Sequence, residues 1–61
     1  MNNPRFEIRK ASNDEWFFTL IAANGEPVLV SETYKQKQSA EDTVKAIKRI
    51  AADAEIIYPH P

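Results

Sequence analysis

Ser31, Glu32 and Tyr34 bring a hydroxyl, a carboxylate and a phenol close together along the chain, the side-chain types that a nucleophile with an acid-base partner would use. Activating a serine takes a neighbouring base held against the hydroxyl, normally a His or a Lys. The one histidine, His60, lies at the far end of the chain between Pro59 and Pro61. These residues are therefore expected to tie a connection to a sheet, with the Tyr34 ring packed, rather than to catalyse. There is no cysteine, so disulfides and thiolate metal sites are excluded, and one histidine cannot supply a structural zinc site. No catalytic residue, cofactor or metal ligand is expected, and the chain is not read as an enzyme.

The other groups capable of chemistry are cationic and aromatic. Lys35, Lys37, Lys45, Lys48 and Arg49 could form a basic surface, and Phe17 with Arg5 and Arg9 imitates a stacking platform for single-stranded nucleic acid. However, Glu7, Glu15, Glu41 and Asp42 are interspersed with them and the net charge is −1, so the field that draws a polyanion is missing. Nucleic-acid binding on the outer sheet face is kept as the alternative to a self-assembling interaction module. Asn24-Gly25 holds the only glycine. A phosphate cradle needs several glycines opening onto a helix, whereas a two-residue primed turn needs positive φ at both central positions, which Asn-Gly tolerates.

The elements that must position these residues follow from periodicity. Arg5-Phe6-Glu7-Ile8-Arg9 alternates apolar and charged residues as a half-buried strand does. A three-residue loop with Asn13 in the left-handed conformation would set Lys10 opposite Asp14, Ile8 opposite Trp16, Phe6 opposite Phe18 and Arg9 opposite Glu15. The second strand turns Trp16, Phe18, Leu20 and Ala22 to the core and Phe17, Thr19 and Ile21 away from it. Phe17 and Ile21 make that outer face unusually apolar, so they are candidate interface residues. In the third strand Val28, Leu29 and Val30 run consecutively, which leaves open whether Leu29 or its neighbours face the core. A helix is expected over about residues 40–52, with Ser39 as N-cap, Asp42 completing a capping box, and Glu41 and Asp42 at the positive helix end. Its apolar stripe is Ala40, Val44, Ile47, Ala51 and Ala54, widened by Ile50. Glu55-Ile56-Ile57-Tyr58, stopped by Pro59, reads as a fourth strand. Only Asp53 and Ala54 separate it from the helix, so pairing with a neighbouring chain avoids a sharp reversal.

Size adds a constraint. A chain of 61 residues buries only about 60% of the surface that it exposes when unfolded, and domains this small recruit bridges, metals or partners. With the first two excluded, self-association is expected. No apolar run reaches the roughly 18 residues of a membrane span and no secretory signal is recognisable, so the expected location is the cytoplasm.

Phe6-Glu7, then Phe18-x-Leu20-x-Ala22-x-Asn24-Gly25-Glu26, then Ser31-Glu32-x-Tyr34-x-x-Lys37-x-x-Ala40 with Ile47 resembles the YegP-like family of small bacterial domains of unknown function. The resemblance spans roughly residues 5–50 and marks Ser31, Glu32, Tyr34 and Lys37 as family motif residues. It implies a single α+β domain over residues 1–61, with residues 1–4 and 59–61 frayed. Its architecture would be a β-β-β-α-β unit: an antiparallel sheet with one helix on a face. The resemblance also implies that such single modules form homodimers by exchanging C-terminal strands, here through Ile56, Ile57 and Tyr58. Phe17 and Ile21 stand where polar residues would be expected, leaving room for association beyond the dimer. The family carries no accepted activity.

Overall fold

The computed structural model describes residues 3–60. Met1, Asn2 and Pro61, part of the termini expected to fray, lie outside the described residues. Strands β1 (Arg5–Lys10), β2 (Trp16–Ile21) and β3 (Pro27–Val30) form one antiparallel sheet in the order β1-β2-β3, followed by helix α1 (Lys37–Ile50). The fold is α+β, as the alternation and helical periodicity predict. No fourth strand forms among the described residues, where residues 54–60 carry no regular secondary structure.

Alternation puts Phe6 and Ile8 of β1 and Trp16, Phe18 and Leu20 of β2 on the face that α1 covers. Phe18 is the centre, 2% exposed, with Ala40 and Val44 of the helix buried over it and Phe6, Ile8, Trp16, Tyr34 and Ile47 packed around. Phe6 meets the Phe18 ring edge-on at 5.9 Å between centroids, and Tyr34 stacks on it at 6.2 Å with 10° between planes. A buried side chain of this size is worth about 1.5–3 kcal/mol, a sizeable contribution in so small a core.

The two hairpins are built alike. In the first, Ala11 N–H donates to the Glu15 carbonyl at 2.7 Å, Asp14 N–H to the Ala11 carbonyl at 3.1 Å, and Glu15 N–H to Asn13 Oδ1 at 3.1 Å. In the second, Ala22 N–H donates to the Glu26 carbonyl at 2.9 Å, Gly25 N–H to the Ala22 carbonyl at 2.8 Å, and Glu26 N–H to Asn24 Oδ1 at 3.1 Å. Each is a three-residue loop whose third residue is left-handed, Asp14 at φ 67° and Gly25 at φ 89°, while the asparagine before it holds the next N–H but one.

Two expectations are thereby corrected. Asn24 does not share positive φ with Gly25, so the second turn is a three-residue loop rather than a two-residue primed turn. In the first hairpin the left-handed residue is Asp14 rather than Asn13, because Asn13 uses its side chain to hold the Glu15 N–H. Moving the loop centre by one residue moves every cross-strand pair by two. Ile8 therefore faces Phe18, Phe6 faces Leu20, Lys10 faces Trp16 and Arg9 faces Phe17. A two-residue shift preserves parity, so the core-facing set is unchanged.

In β3, Leu29 pairs with Leu20 and Val30 with Thr19, with a bulge before Pro27 pairs with Ile21. Leu29 therefore faces the helix side and Val30 the outer side, which the unbroken apolar run left undecided.

The helix starts at Lys37, three residues before the expected start; its N-cap is Gln36 with no side-chain cap bond, and its first turn contains no acidic residue. Ser39 is not the cap. It lies inside the first turn, where its carbonyl accepts the Thr43 hydroxyl at 2.8 Å, and Asp42 takes the Gln38 amide at 2.8 Å instead of closing a capping box. The physical reason is tertiary. Tyr34 is still bridged to β2 and Ala40 must lie fully buried over Phe18, so winding has to begin between them, and capping preference yields. At the other end α1 stops at Ile50 and a turn covers Ala51–Asp53. Ile50, Ala51 and Ala54, expected on the buried stripe, are exposed, because the helix rests on β2 and β1 and does not reach β3.

Gly25→Ala tests the loop. A Cβ there meets nothing within 4 Å, so the cost is backbone strain alone, about 1 kcal/mol. The urea midpoint should fall accordingly, and Gly25→Asn should lose less, since a short polar side chain tolerates the left-handed region as Asp14 does.

Candidate functional site

Beyond β3 the chain does not leave the sheet at once. Ser31 N–H donates to the Phe18 carbonyl at 2.9 Å, and Ser31 Oγ accepts the Phe18 N–H at 2.9 Å while donating to the Glu32 carbonyl at 2.7 Å. Three residues later Tyr34 and Trp16 exchange both backbone bonds at 2.7 Å. The serine hydroxyl thus stands in for a backbone carbonyl at a break in the ladder, and it serves the N–H of Phe18, the largest buried side chain. Without it that donor would be unpaired in a part-buried position.

Of the other motif residues, Tyr34 stacks on Phe18, and Lys37 places its Nζ 5.5 Å from the Trp16 ring centre. Lys10 approaches the same ring at 5.7 Å. Glu32 is exposed. Ser31, Tyr34 and Lys37 therefore converge on β2, on the residues Trp16 and Phe18, and no base stands beside the hydroxyl. Among the described residues there is no enclosed pocket and no group of three His, Asp or Glu side chains that could hold a metal ion.

The outer face carries an ion triad. Glu7 accepts Arg5 Nε at 2.7 Å and Arg9 Nη2 at 2.6 Å. Arg9 was expected to pair across the strands with Glu15; the shifted register puts it opposite Phe17, and its partner is Glu7 on its own strand. Arg5 lies opposite Ile21, so the aliphatic stem of each arginine flanks an apolar neighbour while its head is held by the same carboxylate. Phe17 and Ile21 are half-buried. Both arginines of the supposed stacking platform are thus already paired with Glu7. The hydrogen bond from Arg9, and after it that from Arg5, holds the Glu7 carboxyl below its ordinary value of 4.5.

The largest uncovered apolar side chains fall in two places. Val28 (60% exposed), Leu29 (41%) and Val30 (64%) lie along β3, and Ile50 (60%), Ile56 (81%), Ile57 (66%) and Tyr58 (85%) lie at the helix end and in the tail. No helix among the described residues is long and apolar enough to cross a membrane. The sequence carried an unread signal for the paired loops, Ala11-x-Asn13-x-Glu15 repeated as Ala22-x-Asn24-x-Glu26. It carried none for two lysines converging on Trp16, since Lys10 and Lys37 are 27 positions apart and meet only through the crossover.

Ser31→Ala should destabilise the chain by about 1–3 kcal/mol through the unpaired Phe18 N–H, read as a lower thermal midpoint, with Ser31→Thr recovering most of the loss. Glu7 sets a pH dependence. Its folded pKa is lowered, so its contribution is present above the unfolded value of 4.5 and is lost as pH falls through the folded value. Glu7→Gln should flatten the fall in stability below pH 4.5 and leave its slope above that pH unchanged, as measured by urea unfolding across the range.

Comparison with known proteins places this arrangement. Residues 11–57 match the family described as Domain of unknown function (DUF1508). The chain is 44% identical to the UPF0339 protein YegP of Yersinia pestis over 43 residues, 70% of this chain and 38% of that protein. It is 40% identical to a UPF0339 protein of Acinetobacter baylyi over 48 residues, 79% of this chain and 43% of that protein. This chain thus spans about two-fifths of the length of these curated relatives. A protein from Haloferax volcanii, whose structure was determined by NMR in solution, matches with a TM-score of 0.81 and 32% identity over 97% of this chain and 100% of that one. With most of its length matched and its fold shared over 97% of the chain, the chain belongs to the YegP-like DUF1508 family of small domains of unknown function.

Proposed function

We propose that the chain works as a cytoplasmic homodimeric interaction module, assembled when residues 55–58 of each copy join the sheet of the other along β3. The observation that carries this reading is the distribution of uncovered apolar side chains: they lie along the strand that the helix does not reach and in the tail that nothing among the described residues receives. An edge strand with bare N–H and C=O groups and apolar side chains is a template for another extended segment.

The surface supports the same reading. The chain exposes 5176 Å², whereas a compact protein of 7.0 kDa would expose about 4,000 Å². Its radius of gyration is 13.4 Å, against about 10.5 Å for a compact chain of this length. The surplus surface is of the same order as the roughly 800 Å² that each partner buries in a standard interface. Burying Ile56 and Ile57 would add about 1.5–3 kcal/mol each, a large gain for a core centred on one phenylalanine. The curated relatives, of which the matched segment makes up 38% and 43%, have room for a second segment of the matched size within one chain.

Single-stranded nucleic acid on the outer sheet face is less favoured, because the two arginines of that face share the Glu7 carboxylate. The test is sedimentation velocity at micromolar concentration. The whole chain should run as a dimer, and Ile56→Asp with Ile57→Asp, or removal of residues 54–61, should leave a monomer or an unfolded chain. A truncated chain that still dimerises, or a whole chain that runs as a folded 7.0 kDa species, overturns the proposal.

A further inference from the structure

Asn24-Gly25 is exposed, and its chemistry is not exhausted by making a turn. A side-chain amide followed by glycine is set up for intramolecular attack, because no side chain on the second residue obstructs the approach. The Gly25 amide gives up its proton, its nitrogen bonds to Cγ of Asn24, and the side-chain nitrogen leaves as ammonia. The resulting cyclic imide is then opened by water at either of its two C–N bonds. One opening gives aspartate, and the other gives its isomer with the backbone routed through Cβ.

In the folded loop both reacting groups are engaged. The proton that must be lost from Gly25 is held by the Ala22 carbonyl at 2.8 Å, and the Asn24 side chain is held by its Oδ1 on the Glu26 N–H at 3.1 Å. We propose that Asn24 is a latent deamidation site, closed by its own loop in the folded hairpin and released when that hairpin opens. The two products differ in consequence. Aspartate keeps an oxygen for the Glu26 N–H, whereas the isomer lengthens the loop backbone by a carbon and disturbs the β2–β3 register. This proposal does not depend on the dimer.

The first loop is a built-in control, with Asn13 held on the Glu15 N–H at the same 3.1 Å but followed by Asp14, whose side chain obstructs attack. Asp14→Gly installs a second Asn-Gly pair at a position already left-handed, where glycine fits. Native whole chain and chain unfolded in guanidinium chloride would be incubated at neutral pH, and deamidation followed at each asparagine by peptide mass spectrometry. Asn24 should react at least about tenfold more slowly in the native chain, since local opening must precede attack. Asn13 should gain reactivity in unfolded Asp14→Gly yet stay protected in its folded form. A native rate at Asn24 equal to or above the unfolded rate would overturn the proposal, because the Glu26 N–H would then be activating the amide rather than restraining it. Full reactivity of Asn13 in folded Asp14→Gly would overturn it equally.

Discussion

The backbone of β2 at Phe18 is the point on which the structure depends. On its β3 side, Phe18 N–H donates to the Ser31 hydroxyl and its carbonyl accepts the Ser31 N–H. Its ring is enclosed by Phe6, Tyr34, Ala40 and Val44. One residue thus joins the strand ladder, the crossover and the helix. A small domain has few buried side chains over which to spread its stability, so the groups that converge on a single ring matter more than they would in a larger core. The Tyr34 bridge to Trp16 is part of the same arrangement, because it keeps the chain in the sheet until the helix can start over Phe18.

The outer face shows how an apolar surface is managed without a covering layer. Arg5 and Arg9 sit across from Ile21 and Phe17, and Glu7 between them fixes both heads. With both arginines more than a third exposed, the ion pairs contribute little to stability. Their larger effect is steric, since they keep two long stems lying along apolar neighbours. They also remove from that face the free positive charge on which a nucleic-acid platform would rely.

The other face is unfinished at one side. Helix α1 covers β1 and β2 and leaves β3 without a lid, which is why Leu29 points toward the core side and is still exposed. Ile50 at the helix end and the tail beyond it are uncovered as well. A deficit at β3 and a surplus in the tail are complementary in chemistry, and in the proposed dimer a second copy would supply both at once, because a two-fold interface presents the same surface from each partner. The YegP-like relatives carry the matched segment in longer chains.

Local pattern alone determined a good part of this. Period-two alternation at Phe6, Ile8, Trp16, Phe18 and Leu20 assigned the core face, and the helical stripe at Ala40, Val44 and Ile47 assigned what covers it, because side-chain direction is set by the element and not by its partners. Loop chemistry fixed that there would be two hairpins. Which residue of each loop would be left-handed was decided by competing side-chain bonds, and Asn13 took the Glu15 N–H instead. Only the folded chain decided where the helix begins, since Ser39 is the better cap in isolation but Tyr34 and Ala40 are both held by Phe18. It alone decided the parity of β3, where three consecutive apolar residues carry no period. It also made Ser31 a ladder partner, because a hydroxyl announces its acceptor capacity in the sequence but not the N–H, thirteen positions away, that folding brings to it.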